Sequence, residues 1–221
     1  MMNDIKRTIS LIKYGDQFVG YITAAAIWFV AGVIGMVWMV ASAGEVNVAL
    51  YPTYFIFVLF PPLMLSQCFA SLEAAGMVAS SGKRRFVSLK GQNLLSIGGV
   101  GVMFLLVILI VLVNSMLEHC VIVGAGGIIL CAGIAACVFL IYTAIVYKSF
   151  LFGVILFTLN YLIYGILGSY ILYKNPSFTV GLLLGIMFFI IGAVLSCLIR
   201  AALYKKPISK TALGAEMRKY M

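Results

Sequence analysis

The chain has 221 residues, 64% of them hydrophobic and only 10% charged, with a net charge of +9 and a mean hydropathy of +1.18. A soluble domain carries roughly 25% charged residues, so water would not solvate the surface this chain exposes. No stretch is polar enough for a separate soluble domain, and a nucleotide-hydrolysing module is not expected. The positive charge falls between and beyond apolar blocks, the placement that orients membrane spans, so nucleic-acid binding is not expected either.

Residues 1–17 read MMNDIKRTISLIKYGDQ, with Ile5, Ile9 and Ile12 at helical spacing and Lys6, Arg7 and Lys13 on other faces. Asn3 or Asp4 is placed to cap such a helix. Two readings stand side by side: an amphipathic helix lying in the membrane interface, or a basic flank that enforces topology. The apolar run that follows is longer than the core of a cleavable signal peptide, so it is expected to stay in the mature protein.

A spanning helix needs about 20 apolar residues, and six segments qualify. They are Phe18 to Ala43, Tyr54 to Ala79, Leu94 to Met116, Val121 to Tyr147, Phe150 to Tyr173 and Phe178 to Leu203. The expected fold is therefore all-α: a polytopic bundle of six spans (residues 18–203) between the N-terminal segment and a basic tail (204–221). A tight turn at Lys148 separates the fourth and fifth spans. Of the 15 Lys and Arg residues, only Lys174 falls on one side of this arrangement. The others flank the spans on the opposite side, Arg200 being counted with Lys205, Lys206, Lys210, Arg218 and Lys219 as charges that close the chain. The basic side is the cytoplasmic one, which places both termini inside and leaves very short outer loops.

The second span carries the most polar material. Pro61-Pro62 should kink it, and Ser66, Gln67, Ser71 and Glu73 follow. An acidic side chain in a span is costly unless it faces a cavity or a partner; Glu73 lies near the cytoplasmic end, where pairing with Lys83 or Arg84 accounts for it. A structural or gating role is favoured over proton coupling. Asn160 in the fifth span and Asn114 in the third suit interhelical hydrogen bonds. Gly181 and Gly185 form a small-xxx-small pair that lets helix backbones approach, within the subunit or between subunits.

The cytoplasmic loop between spans two and three reads ASSGKRRFVSLKGQN. Ser80-Ser81-Gly82 should end one helix and Gly91-Gln92-Asn93 begin the next. Lys83 to Lys90 between them suits a short amphipathic helix with Phe86 and Leu89 on one side, or plain topogenic charge.

Catalytic chemistry has little to stand on. The five cysteines form no CxxC pair or metal spacing, and no metal site is expected. The single histidine, His119, precedes Cys120, but neighbouring helical residues point apart. Asp4 and Asp16 are the only aspartates and neither lies in a span.

A basic amphipathic N-terminal segment, six spans, the SGKRRFVSLKGQ loop and the basic tail LYKKPISKTALGAEMRKYM together resemble the membrane subunit of ABC-2 type transporters, the permease half of a bacterial exporter of the peptide or immunity type. The resemblance covers the layout of the whole chain. It implies a plasma-membrane permease that pairs with a second copy or a sibling. It further implies a separate cytoplasmic ATP-binding subunit, so that ATP and Mg belong to the partner and this chain needs no cofactor. Asp4 to Asp16 would be the elbow helix on the inner leaflet. Gly82 to Gln92 would be the coupling helix, with Phe86 and Leu89 as apolar contacts and Lys83, Arg84, Arg85 and Lys90 as steering charges. Many relatives carry re-entrant helices between spans five and six, where Tyr173-Lys174-Asn175-Pro176-Ser177 leaves a bare turn. The cargo implied is hydrophobic or amphipathic, an antimicrobial peptide or a lipid-like molecule. The alternatives are a small ATP-independent carrier or a membrane scaffold, and behind them an intramembrane enzyme. A carrier of that kind predicts pseudo-symmetry between the two halves, and no convincing repeat is visible.

Overall fold

Residues 102–113 read VMFLLVILIVLV, a run rich in β-branched residues that in water would suit a buried strand. In hydrocarbon the backbone has no water to bond, and a lone segment satisfies its N–H and C=O groups only as a helix. The computed structural model describes Lys6 and residues 18–41, 85–117, 125–145, 155, 166–171 and 173–205, and in it this run is helical. No strand occurs among the described residues.

Four long helices make up the described architecture: α1 (Phe18–Ala41), α2 (Gln92–Leu117), α3 (Ala125–Ile145) and α4 (Phe178–Leu203). A π-helical turn, Phe86–Gly91, leads into α2. Three helical stretches have the length and apolar composition to cross a membrane: Ser88–Val113, Ala125–Ile145 and Phe178–Leu203. In α1 the apolar helical stretch is Ile22–Gly35. The expected second span and most of the expected fifth and N-terminal segments lie outside the described residues.

Helix α3 is the centre of the bundle, with 16 of its 21 residues buried. It packs lengthwise against α4 and is flanked by α2, which in turn carries α1. From α2 the core takes Val100, Met103, Phe104, Val107 and Val111, a stripe at helical three- and four-residue spacing. Phe104 stacks on Phe189 of α4 with ring centroids 5.8 Å apart.

The buried stripe of α4 is of a different kind: Gly181, Gly185, Gly192, Ser196 and Arg200. Its first three members let the backbones of α3 and α4 nearly touch. A Cβ on Gly181 would overlap the Gly126 carbonyl, and one on Gly133 would overlap the backbone of Gly185. A Cβ on Gly192 would stand 2.5 Å from the Cys137 Cα. Gly181 and Gly185 thus face α3 of the same chain.

The opposite face of α4 exposes Leu183, Ile190, Val194 and Leu198, and α2 exposes Val102, Leu105 and Leu109. Hydrocarbon is the solvent that suits faces of this kind. The two ends of α4 are polar. Before its start, Lys174 sits over the Tyr170 ring at 5.7 Å, and Asn175 takes a left-handed backbone with φ 44, which Asn tolerates better than most residues. Pro176 and Ser177 follow, and the Gly181 N–H donates to the Ser177 carbonyl at 2.9 Å to open the helix. After its end come Tyr204 and Lys205.

Candidate functional site

The end of the bundle that carries Arg85, Lys90 and Lys205 also holds its most polar interior. Here the turn and α2 begin while α3 and α4 end. Ser88, Gln92 and Ser96 recur every four residues and so line one side of the turn and α2. Thr143 lies in the last turn of α3, and Ser196 and Arg200 lie one turn apart at the end of α4. Each of these six is at most 2% exposed.

Arg200 joins them. Its Nη1 donates to Gln92 Oε1 at 3.0 Å, and its Nη2 donates to Ser96 Oγ at 2.8 Å and to Thr143 Oγ1 at 3.0 Å. Thr143 Oγ1 in turn donates to the Leu140 carbonyl one turn back, at 2.9 Å. One guanidinium therefore bonds to two other helices.

The sequence reading ran the sixth span to about Leu203 and counted Arg200 with the basic charges that close the chain, leaving open on which side of it the span ends; the structure places Arg200 inside the helix. Helix α4 runs on past Arg200 to Leu203, and the side chain is fully buried. The reason is directional. Helical side chains lean toward the N-terminus of their own helix, and at the end of α4 that direction leads into the bundle. The last turns of α3 and α4 also present carbonyl ends that favour a cation.

For Lys83 to Lys90 the sequence left two readings, a short amphipathic helix between spans or plain topogenic charge, with Gly91-Gln92-Asn93 starting the next helix. Instead Arg85 and the turn Phe86–Gly91 run into α2 without a break. Gly91 and Gln92 are buried, Phe86 and Leu89 half-buried, and Arg85 and Lys90 exposed. Gly82, Lys83 and Arg84 lie outside the described residues. So do Ile5, Arg7, Ile9, Ile12 and Lys13 of the interfacial segment, of which only Lys6 is described, helical and exposed. Pro61, Pro62, Ser66, Gln67, Glu73 and Asn160 are outside as well.

Ser88, Ser96, Thr143, Ser196 and the inward role of Arg200 were missed. Their signal was available as two polar stripes at four-residue spacing inside apolar helices, on 88–96 and on 196–200. Among the described residues no group of His, Cys, Asp or Glu is arranged to hold a metal ion.

Comparison of the chain with protein-family models, with curated proteins and with solved structures finds no match.

Proposed function

We propose that this chain is the membrane-spanning permease subunit of an ABC transporter of the bacterial plasma membrane. In this reading it exports a hydrophobic or amphipathic substrate, a peptide or a lipid-like molecule, driven by a separate cytoplasmic ATP-binding subunit. A second permease copy or a sibling completes the transport unit, and the basic end of the bundle faces the cytoplasm.

One observation supports this reading above the others: the basic turn at Phe86–Gly91 is the first turn of a spanning helix, and that helix is bonded to α4 through Gln92 and Arg200. A protein docked on Phe86, Leu89 and Lys90 would grip a rigid lever. A slack loop in the same place would absorb the motion of a partner, whereas a continuous helix passes it on to the bundle.

The test is to tag the chain in its native host, solubilise it gently and identify by mass spectrometry what copurifies. The expected result is a stoichiometric soluble protein with a GxxxxGK[ST] phosphate loop, the motif that cradles nucleotide phosphates. Recovery of the chain alone, with transport intact in vesicles lacking ATP, would replace this reading with an ATP-independent carrier.

A further inference from the structure

The polar stripe on the turn and α2 has three rungs, Ser88, Gln92 and Ser96, each one helical turn from the next. Arg200 uses two of them, bonding Gln92 Oε1 and Ser96 Oγ. Ser88 Oγ and Gln92 Nε2 have no hydrogen-bond partner among the described residues, and neither has Ser196 Oγ. Buried polar groups are rarely left unpaired, and a half-satisfied network is the costly state of such a network. Asn93 Oδ1, off the stripe, is also without a partner among the described residues; on the stripe itself, Ser88 is the rung next to the pair that Arg200 occupies.

We infer that this ladder has a second register, in which the turn and α2 stand one helical turn further from the basic end relative to α3 and α4, and Arg200 bridges Ser88 and Gln92 instead of Gln92 and Ser96. Thr143 keeps its bond to Arg200, because α3 and α4 move together.

Two features of the packing fit this movement. Helices α3 and α4 are interlocked at backbone level, through Gly126 with Gly181 and Gly133 with Gly185, so they behave as one body. Helix α2 meets that body through side chains, chiefly Val100, Phe104, Val107 and Val111. Their spacing is itself close to one turn, so a shift of four residues puts Val100 where Phe104 stood and Val107 where Val111 stood. The places of Phe104, Val107 and Val111 receive Val100, Met103 and Val107, and Ser96 moves into the small place of Val100. The π-helical turn at Phe86–Gly91, a form that recurs at functional sites, lies at the end of the moving body. One-turn displacements between packed elements are an established mode of switching.

The ladder stands whether or not the permease reading holds. Under that reading, the displacement of α2 is what a partner gripping Phe86 and Lys90 would drive.

The test measures the distance between α2 and α4 along their length. Spin labels go on Val113→Cys and Val194→Cys, both exposed in the structure, in the full-length chain with its five native cysteines replaced and reconstituted in lipid. Double electron–electron resonance then reads the distance distribution. Ser96→Ala removes a bond of the observed register and is expected to raise a population longer by about 4–5 Å, most of one 5.4 Å turn. Ser88→Ala is expected to abolish that population, and Ser88→Thr, which keeps the hydroxyl, to retain it. A single distance shared by the parent and Ser96→Ala overturns the inference. So does a longer population that persists undiminished in Ser88→Ala.

Discussion

Arg200 and Gln92, 108 positions apart in the sequence, meet in the buried end of the bundle, where the guanidinium Nη1 donates to the amide Oε1 at 3.0 Å. Around this contact the start of α2 is held to the ends of α3 and α4. A hydrogen bond from a charged donor contributes about 1.5–3 kcal/mol in soluble proteins, and interhelical polar contacts in membranes average nearer 0.6 kcal/mol. Arg200 makes three such bonds to side chains.

Arg200→Ala is therefore expected to destabilise the detergent-solubilised protein by about 2–4 kcal/mol. For a chain of this size that lowers the unfolding midpoint by roughly 5–12 °C, readable as loss of the monodisperse peak on heating. Arg200→Met combined with Gln92→Leu should recover a large part of the loss, because well-packed apolar replacements of buried ionic groups are often neutral. If Arg200→Ala leaves the midpoint unchanged, the contact does not hold the helices together.

Thr143→Val keeps the shape of the side chain and removes the hydroxyl that links Arg200 to the Leu140 carbonyl. Its expected cost is about 1–2 kcal/mol, and Thr143→Ser should cost less than half as much. Equal effects from the two substitutions would assign the loss to packing rather than to the hydroxyl.

The glycines give a sharper contrast. Gly133→Ala sets a methyl group against the backbone of Gly185, where neither helix can give way, and overpacking of this kind costs about 1–3 kcal/mol. At Gly98 an added Cβ meets nothing within 4 Å, so Gly98→Ala should be neutral or stabilise by about 0.5–1 kcal/mol through helix propensity. Measured side by side, Gly133→Ala is expected to lower the midpoint and Gly98→Ala to leave it unchanged or raise it. A shift of the same sign and size would show that α3 and α4 do not approach as described.

Orientation is testable at the two ends of α4. Asn175→Cys and Lys205→Cys, each in a cysteine-free chain, should label with an impermeant maleimide from opposite sides of the membrane. The distribution of Lys and Arg predicts that Lys205→Cys reacts only after the cells are opened. Labelling of Lys205→Cys in intact cells would invert the topology.

Phe86→Asp tests the proposed docking of an ATPase. Phe86 is half-buried at the start of the lever, and a carboxylate there should weaken the contact with the partner. Copurification of the ATP-binding subunit and export are both expected to fall at least tenfold while the chain stays folded. Survival of both would remove the docking role from this segment.

Among the described residues, the three helices long and apolar enough to cross a membrane were the most legible part of the molecule. The start of α4 at Phe178 was readable from Pro176 and Ser177 before it, whereas its end was read only as about Leu203, because Arg200 leaves open on which side of it the span stops. The start of α2 was less legible. Gly91 reads as a break between elements, yet in the structure it is buried in a helix that continues through it. A glycine ends a helix in water more readily than where the neighbouring helices exclude water from its backbone.

What the sequence determined alone is the class of structure. Length, apolar content and the spacing of charges leave helices as the way to satisfy the backbone in hydrocarbon, and that constraint acts on each segment separately. The tertiary structure decided which groups meet. Whether Arg200 reaches outward or inward depends on the direction in which α4 approaches the basic end, and on finding Gln92, Ser96 and Thr143 there. Whether Gly181 and Gly185 meet a second subunit or their own chain depends on Gly126 and Gly133 lying opposite. Hydropathy acts over the length of one helix, whereas a hydrogen bond or a backbone contact between helices requires the arrangement of several.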